Sequence, residues 1–353
     1  MRISPKFRFI DLFAGIGGFH IALEKLGGSC EFASEIDDRA RTVYYENFGM
    51  MPFGDIRQIT GPDKNDKMID LMIPDHNILA GGFPCQPFSL AGVSARNSLG
   101  RDHGLMDKTK GTLFFDICRI AIIKKSDVLF LENVKNLKSH DGGRTFEIIK
   151  STIENELGYK FYSTVLNSES LTAQRRKRLF IVAFKDKSRS FSFPEIDGDA
   201  LPLKSILEKN VDESFTISDR AWAGHKRRTA SNKLKGNGFS AFEADLEKPS
   251  NTIVARYYKD GKECLVPQHG KNPRMLTPRE CARLQGFPED YILHKSKSAA
   301  YKQFGNAVTV PVVERIAENI LVSLGLSNGR QPDTQTTLVK HGSDKIKKYK
   351  TGS

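Results

Sequence analysis

The chain has 353 residues, an ordinary apolar content of 39% and a formal net charge of +12. That length suits one large domain, or a large domain carrying a smaller one; no run approaches the roughly 18 apolar residues of a membrane span, and the charge favours a polyanionic partner. Five cysteines, Cys30, Cys85, Cys118, Cys264 and Cys281, are an odd number without C-x-x-C spacing, which argues against a disulfide framework or a zinc cluster and for reduced thiols in a cytosol.

The N-terminus moves at once into a strand-like pattern and lacks the apolar core of a secretory signal, so a soluble intracellular protein is expected. Arg8 to Phe13 reads as a buried strand that runs into a glycine turn, Ala14 to Gly18, and then into an amphipathic segment from Phe19 to Leu26. Strand, glycine turn and helix start make a ligand cradle, because glycines let the backbone approach a bound group and helix N-terminal amides face it. A second apolar run, Cys30 to Ser34, ends at Glu35, 20 residues after Gly15. An acid there is where α/β nucleotide folds hold a ribose hydroxyl. Gly15, Gly17 and Gly18 are not followed by the third spaced glycine of a dinucleotide fold, so an adenosine without a pyrophosphate fits better than a nicotinamide cofactor.

Asp37 can cap a helix reaching about Phe48, Gly54-Asp55-Ile56 reads as a short strand end, and the apolar run from His76 to Ala80 leads into GGFPCQPFS, residues 81–89. There Cys85 stands between Pro84 and Pro87, which restrict the backbone on both sides of it. A thiol attacks only as thiolate, and a turn after a strand supplies the exposure a nucleophile needs. An isolated PC dipeptide, by contrast, is more often a buried unreactive cysteine.

Leu113 to Ile123 has helical apolar spacing, Val128 to Leu131 is a continuous apolar strand, and Thr145 to Leu157 is again helical. Repeated strand and helix units predict an α/β fold with a parallel sheet covered on both faces, whose ligands bind beyond the carboxyl ends of the strands. Glu35, Asp55 and Glu132 all fall at such ends. Singly each reads as a cap or a solvated loop acid; their shared location marks a site. Glu132 closes a wholly apolar strand, where desolvation raises a carboxyl pKa and lets it donate a proton near neutrality, unless it serves only to pair an arginine.

Gln174 to Phe184, QRRKRLFIVAF, sets four basic residues before a buried strand, either as a phosphate-binding rim or as solvated charge. From Ile217 to Met275 twelve Lys and Arg stand against six Asp and Glu, so these 59 residues carry +6 of the net charge. The last 22 residues carry five lysines and two acids in a polar stretch expected to be disordered.

Taken in order, these stretches resemble the cytosine-5 DNA methyltransferases, in particular bacterial type II modification methylases. DLFAGIGGF (11–19) is similar to the family's first motif, GGFPCQPFS (81–89) to its nucleophile loop, FLENV (130–134) to its glutamate motif and QRRKRLF (174–180) to its arginine motif. RMLTPRECARLQGFP (274–288) and QFGNAVTVP (303–311) complete the set, and the resemblance covers residues 7–325. It implies a Rossmann-like S-adenosylmethionine-dependent methyltransferase fold with a mostly parallel sheet, plus a smaller target-recognition domain. The implied boundaries are 1–187 for the catalytic and cofactor-binding domain, 188–272 for target recognition, 273–328 for a return to the catalytic domain and 329–353 for a basic tail. The variable stretch also resembles that of enzymes acting on CCWGG-type sites.

The implied chemistry is addition of the Cys85 thiolate to C6 of a cytosine flipped out of double-stranded DNA. Glu132 hydrogen-bonds or protonates N3, C5 takes the methyl group of S-adenosylmethionine, and loss of the C5 proton releases Cys85. Arg178 matches the arginine that holds the base's O2, with Arg176 beside it. Similarity assigns Phe13, Gly15 and Gly17 to the methionine end of the cofactor, Glu35 and Ile36 to its ribose, and Asp55 with Ile56 to its adenine. Ala14, Gly18 and Pro84 belong to the same set, and Asn306 and Val308 close over it. DNA contacts fall to Gln86, Ser89, Gln174, Lys235, Thr252, Arg256, Tyr257, Tyr258 and Lys259, with Thr252-Ile253 matching a Thr-plus-aliphatic element. No metal is implied. The expected setting is a monomer in the bacterial cytoplasm, on the nucleoid when bound to DNA, paired in function with a restriction endonuclease. Two alternatives stay open: a transfer RNA cytosine-5 methyltransferase, against which the long basic insert argues, and a non-catalytic sequence-specific DNA-binding protein, of which no missing catalytic residue gives a sign.

Overall fold

Phe7 and Phe9 turn to one side of a six-stranded sheet and Ile10 and Leu12 to the other, and the neighbouring strands divide their apolar residues in the same way. This is the alternation of strands buried on both faces. A computed structural model describes residues 5–61, 63–84, 113–236 and 243–327. Its strands are β1 (Phe7–Leu12), β2 (Gly28–Ser34), β3 (Ile78–Gly82), β4 (Val128–Val134), β5 (Lys160–Asn167) and β6 (Lys177–Phe184), in the order β2-β1-β3-β4-β6-β5.

The first four strands run parallel, whereas β6 is antiparallel to both of its neighbours. The sheet is thus mostly parallel, and the exception matters for chemistry. Reversal brings the start of β6 to the carboxyl end of β4, where Val134 lies opposite Arg178 and Glu132 opposite Phe180. Alternate residues share a face, so Arg178 becomes a diagonal same-face neighbour of Glu132.

Helices α1 (Gly18–Lys25) and α2 (Asp38–Phe48) cover the Phe9 face. The Leu12 face is covered by α3 (Arg57–Thr60), α4 (Asp66–Met72), α5 (Leu113–Lys124) and α6 (Arg144–Ser151). Asp37 does cap α2, accepting from the Arg39 N–H at 3.0 Å. The helix expected over Thr145 to Leu157 instead ends at Ser151 and continues as a π turn over Thr152–Glu156.

In the variable stretch, α7 (Asp219–Leu234) buries only His225, and β7 (Leu265–Gln268) pairs with β8 (Lys271–Met275) as a separate hairpin. Leu203, Ile253, Tyr257 and Cys264 of this stretch join the core on the Phe9 face. The chain then returns through α8 (Pro278–Leu284), α9 (Lys297–Asn306) and α10 (Val310–Leu324) to that same face. There α10 packs beside α1, with Lys25 and Glu314 paired at 2.7 Å. Among the described residues no helix is long and apolar enough to cross a membrane. The tail from 329 onward lies outside them.

Candidate active site

Beyond Leu12 the backbone turns sharply, with positive φ at Phe13 (56°), Gly15 (56°) and Gly17 (80°). A left-handed conformation costs a non-glycine residue about 1–2 kcal/mol, and such strain persists where the surroundings enforce it, often at ligand sites. Gly17 caps α1, and a Cβ there would stand 2.3 Å from the Phe48 ring. The Glu35 carboxylate ties this turn to the end of β2: one oxygen accepts from the Gly15 N–H and the other from the Asp37 N–H, both at 2.8 Å.

The strand end expected at Asp55 is not formed. Only Phe53 bridges to Ser34, and Asp55 instead opens α3, its carboxylate accepting from the Arg57 N–H at 3.0 Å and pairing with that guanidinium at 2.6 Å. A short acidic side chain that caps its own turn competes with extension.

At the other end, Glu132 lies in β4 with Arg178 Nε 3.1 Å from its carboxylate. Burial raises the Glu132 pKa above the usual carboxylate range, against the pull of the Arg178 and Arg176 guanidiniums. Burial likewise lowers the Arg178 pKa, against the pull of Glu132. Desolvation drives both shifts and outweighs the attraction; since a guanidinium keeps its proton, it is the carboxyl that tends toward neutrality. Glu132 is thus paired with an arginine, as one of its two sequence readings expects, and its burial favours the protonated form.

Arg176 is wholly buried and donates to the carbonyls of Ile253 (3.0 Å), Gly305 (3.1 Å) and Ala307 (2.8 Å). Burial and the neighbouring Arg178 bring its pKa down to about 9. Asn133, given no role from the sequence, donates to the Phe83 carbonyl at 2.8 Å and so holds the segment that leads to Cys85. Its position next to Glu132 was the available signal.

A cavity of about 500 Å3 joins the two ends, within the range of about 300–1,000 Å3 usual for small-molecule sites. Every residue expected to touch the cofactor lines it except Gly17, together with Glu132, Arg176 and Arg178. Ile36 is 65% exposed there, an apolar side chain left open at the rim. Val308 packs so closely on the start of α1 that a Cβ on Gly18 would stand 2.6 Å from it. Leu113, Arg57 and Lys302 also line the cavity without having been singled out; Lys302 reaches from α9 to the Asp37 carboxylate at 2.7 Å. Cys85, Gln86 and Ser89 lie outside the described residues.

Of the side chains expected to contact DNA, Lys235, Arg256, Tyr258 and Lys259 are exposed, and the half-buried Thr252 donates its hydroxyl to the Arg175 carbonyl. Tyr257 must be corrected. It is 1% exposed, donates to the Cys264 carbonyl at 2.6 Å and accepts from the Leu276 N–H at 2.8 Å. Residues 257–259 form one tight helical turn, which sends successive side chains in different directions and the first of them inward. Gln174 must also be corrected, since it is wholly buried with its Oε1 accepting from the Ile253 N–H at 2.8 Å and its Nε2 donating to the Leu284 carbonyl at 3.2 Å. Buried irregular backbone needs such side-chain partners.

A family model for C-5 cytosine-specific DNA methylases matches residues 7–322. Type II methyltransferase M.SsoII of Shigella sonnei is 47% identical over 328 residues, covering 91% of this chain and 82% of that protein. Type II methyltransferase M.NlaX of Neisseria lactamica is 45% identical over 330 residues, covering 92% of this chain and 99% of the relative. Among solved structures, a DNMT2 mutant from Spodoptera frugiperda shares the fold at TM-score 0.67 and 20% identity, covering 89% of this chain and 99% of that one.

Proposed function

The chain belongs to the C-5 cytosine-specific DNA methylase family, and from that premise we propose how its residues bring a methyl group to carbon 5 of cytosine in DNA as part of a type II restriction-modification system. The observation that carries the reading is the Glu132–Arg178 pair at one end of a cavity whose other end is the Phe13 to Gly18 turn with Glu35. Family and fold imply S-adenosylmethionine, and the residues present suit it. A fixed carboxylate, an exposed apolar side chain and a glycine turn are what ribose hydroxyls, a flat base and an amino-acid end require. Bound there, the cofactor supplies an electrophilic methyl group. Phe13, Ala14 and Gly15 hold its methionine end on the turn that Gly17 shapes, Glu35 and Ile36 its ribose, with the exposed Ile36 side chain reaching the adenine beside Asp55 and Ile56; Gly18, Pro84, Asn306 and Val308 enclose it.

Cytosine C5 is a poor nucleophile, and a base stacked in duplex DNA is out of reach, so the cytosine swings out into the cavity. The Cys85 thiolate adds to C6 while Glu132 donates to N3, and electron density collects at C5. After methylation the C5 proton leaves and Cys85 is eliminated. Arg178 orients Glu132 and holds O2, and Arg176 adds positive charge beside the pair. Residues 188–272 form the target-recognition part, with Thr252, Arg256, Tyr258, Lys259 and Lys235 at DNA; 1–187 and 273–328 form the catalytic part. The setting is the bacterial cytoplasm, with a cognate endonuclease as functional partner.

Bisulfite sequencing of DNA from a host expressing the chain identifies the target site. A duplex with 5-fluorocytosine at that site should trap a covalent complex with the wild-type protein and none with Cys85→Ser. No complex with the wild type would overturn the covalent route. Methyl incorporation into duplex DNA but not transfer RNA separates this reading from the RNA alternative.

A further inference from the structure

The segment Ser250 to Arg256 of the variable stretch runs in a slot of the catalytic body. On one wall, Gln174 and Arg176 take both main-chain groups of a single residue: Gln174 Oε1 accepts from the Ile253 N–H at 2.8 Å, and Arg176 donates to the Ile253 carbonyl at 3.0 Å. The adjoining backbone adds two bonds, Ser250 N–H to the Ala173 carbonyl at 2.8 Å and Arg175 N–H to the Ser250 carbonyl at 2.9 Å. The other wall is Gly305, where a Cβ would stand 2.3 Å from the Val254 carbonyl carbon. Only glycine lets the two backbones lie that close. Arg176 closes the circle through its bonds to the Gly305 and Ala307 carbonyls, and Asn306 and Val308, which flank Ala307, line the cavity.

We propose that Gln174 and Arg176 are positioning residues that lock the recognition segment to the Gly305–Val308 wall of the cofactor cavity, so that seating of the segment on its DNA site and filling of the cavity strengthen each other. This rests on the function proposed above, in which the segment meets DNA and the cavity holds the cofactor. The three acceptors of Arg176 come from two different segments, and its bonds to them are charge-assisted. A buried cation that loses its partners is costly, so displacement of either segment is opposed by the other. Exposed Arg256 and Tyr258 sit a few residues beyond Ile253, where DNA contact would pull on the same backbone. Coupling of this kind is reciprocal between the two ligands.

The test titrates S-adenosylhomocysteine into the full-length protein alone, with a duplex carrying the site found by bisulfite sequencing, and with a scrambled duplex. The wild type should bind about 5–150-fold tighter with the specific duplex than without it, and Arg176→Lys and Gln174→Met should bring that ratio close to one. A ratio of one in the wild type, or variants that keep the wild-type ratio, overturns the proposal. A wild type that binds neither ligand overturns the methylation reading instead. Hydrogen exchange on the unaltered protein is independent of how the variants fold: S-adenosylhomocysteine alone should slow exchange of the Ser250 and Ile253 amides, and unchanged exchange there also overturns the proposal.

Discussion

The Arg178 guanidinium stands 3.1 Å from the Glu132 carboxylate, with the two side chains only 15% and 11% exposed. Such a pair loses much hydration and regains part of it as attraction. Here desolvation wins, because the Glu132 pKa is raised in spite of two nearby guanidiniums.

Replacing Glu132 by Gln keeps the shape and removes the transferable proton. Methyl transfer should fall by about 10²–10⁴-fold, the range for a lost general acid, while S-adenosylhomocysteine binding changes little. For an acid with a raised folded pKa, the protonated form is present below that pKa and lost as pH rises through it. Single-turnover rates of the wild type should therefore decline on the alkaline side, and that limb should be missing from E132Q.

Removing the cation acts on stability. Arg178→Met leaves Glu132 buried without its partner, at a cost of about 3–5 kcal/mol where the carboxylate must stay charged. Protonation relieves the cost, so urea unfolding should show a larger loss at pH 8.5 than at pH 5.5. An equal loss at both would mean that packing, not charge, dominates.

Glu35→Gln replaces one of two acceptor oxygens by an N–H donor that faces a backbone N–H. Leaving one such donor unpaired costs about 1–3 kcal/mol, or about 5–150-fold in S-adenosylhomocysteine affinity if the turn is held for the ligand. Calorimetric titration reads this directly.

At the start of the 257–259 turn two adjacent side chains, Arg256 and Tyr257, should part company. Tyr257→Phe removes bonds to the Cys264 carbonyl and Leu276 N–H and should destabilise by about 1–3 kcal/mol without changing DNA preference. Arg256→Ala should leave the melting temperature alone; a base-reading role predicts a loss of about 1–3 kcal/mol confined to the specific site. Equal losses on specific and random DNA would reassign Arg256 to phosphate.

Asp116 of α5 has its pKa raised to about 6 by burial, with Asp55 adding to the effect. Its folded state favours the proton, so stability is lost as pH rises from the unfolded value toward 6 and stays lost above it. Asp116→Asn should raise stability at pH 8 by up to about 3 kcal/mol and have little effect at pH 4. Thermal melts at the two pH values check the sign.

Local and periodic features are legible in the chain before it folds. Alternating apolar runs and glycine turns marked the strands, helices and cradle, and Glu35 could be placed at a strand end from its neighbours alone, whereas β4 runs two residues past Glu132 to Val134. Motif resemblance then tied Cys85, Glu132 and Arg178 to one reaction. That β6 runs against β4 emerges in the folded chain alone, and that reversal sets Arg178 beside Glu132, since strand direction depends on how the chain crosses over rather than on strand composition. Folding also decides that Tyr257 and Gln174 point inward and that Asp55 opens a helix. Irregular segments have no period from which the buried side can be read, and which backbone group a buried amide or guanidinium must satisfy depends on residues as much as 131 positions away, as the Arg176 bond to Ala307 shows.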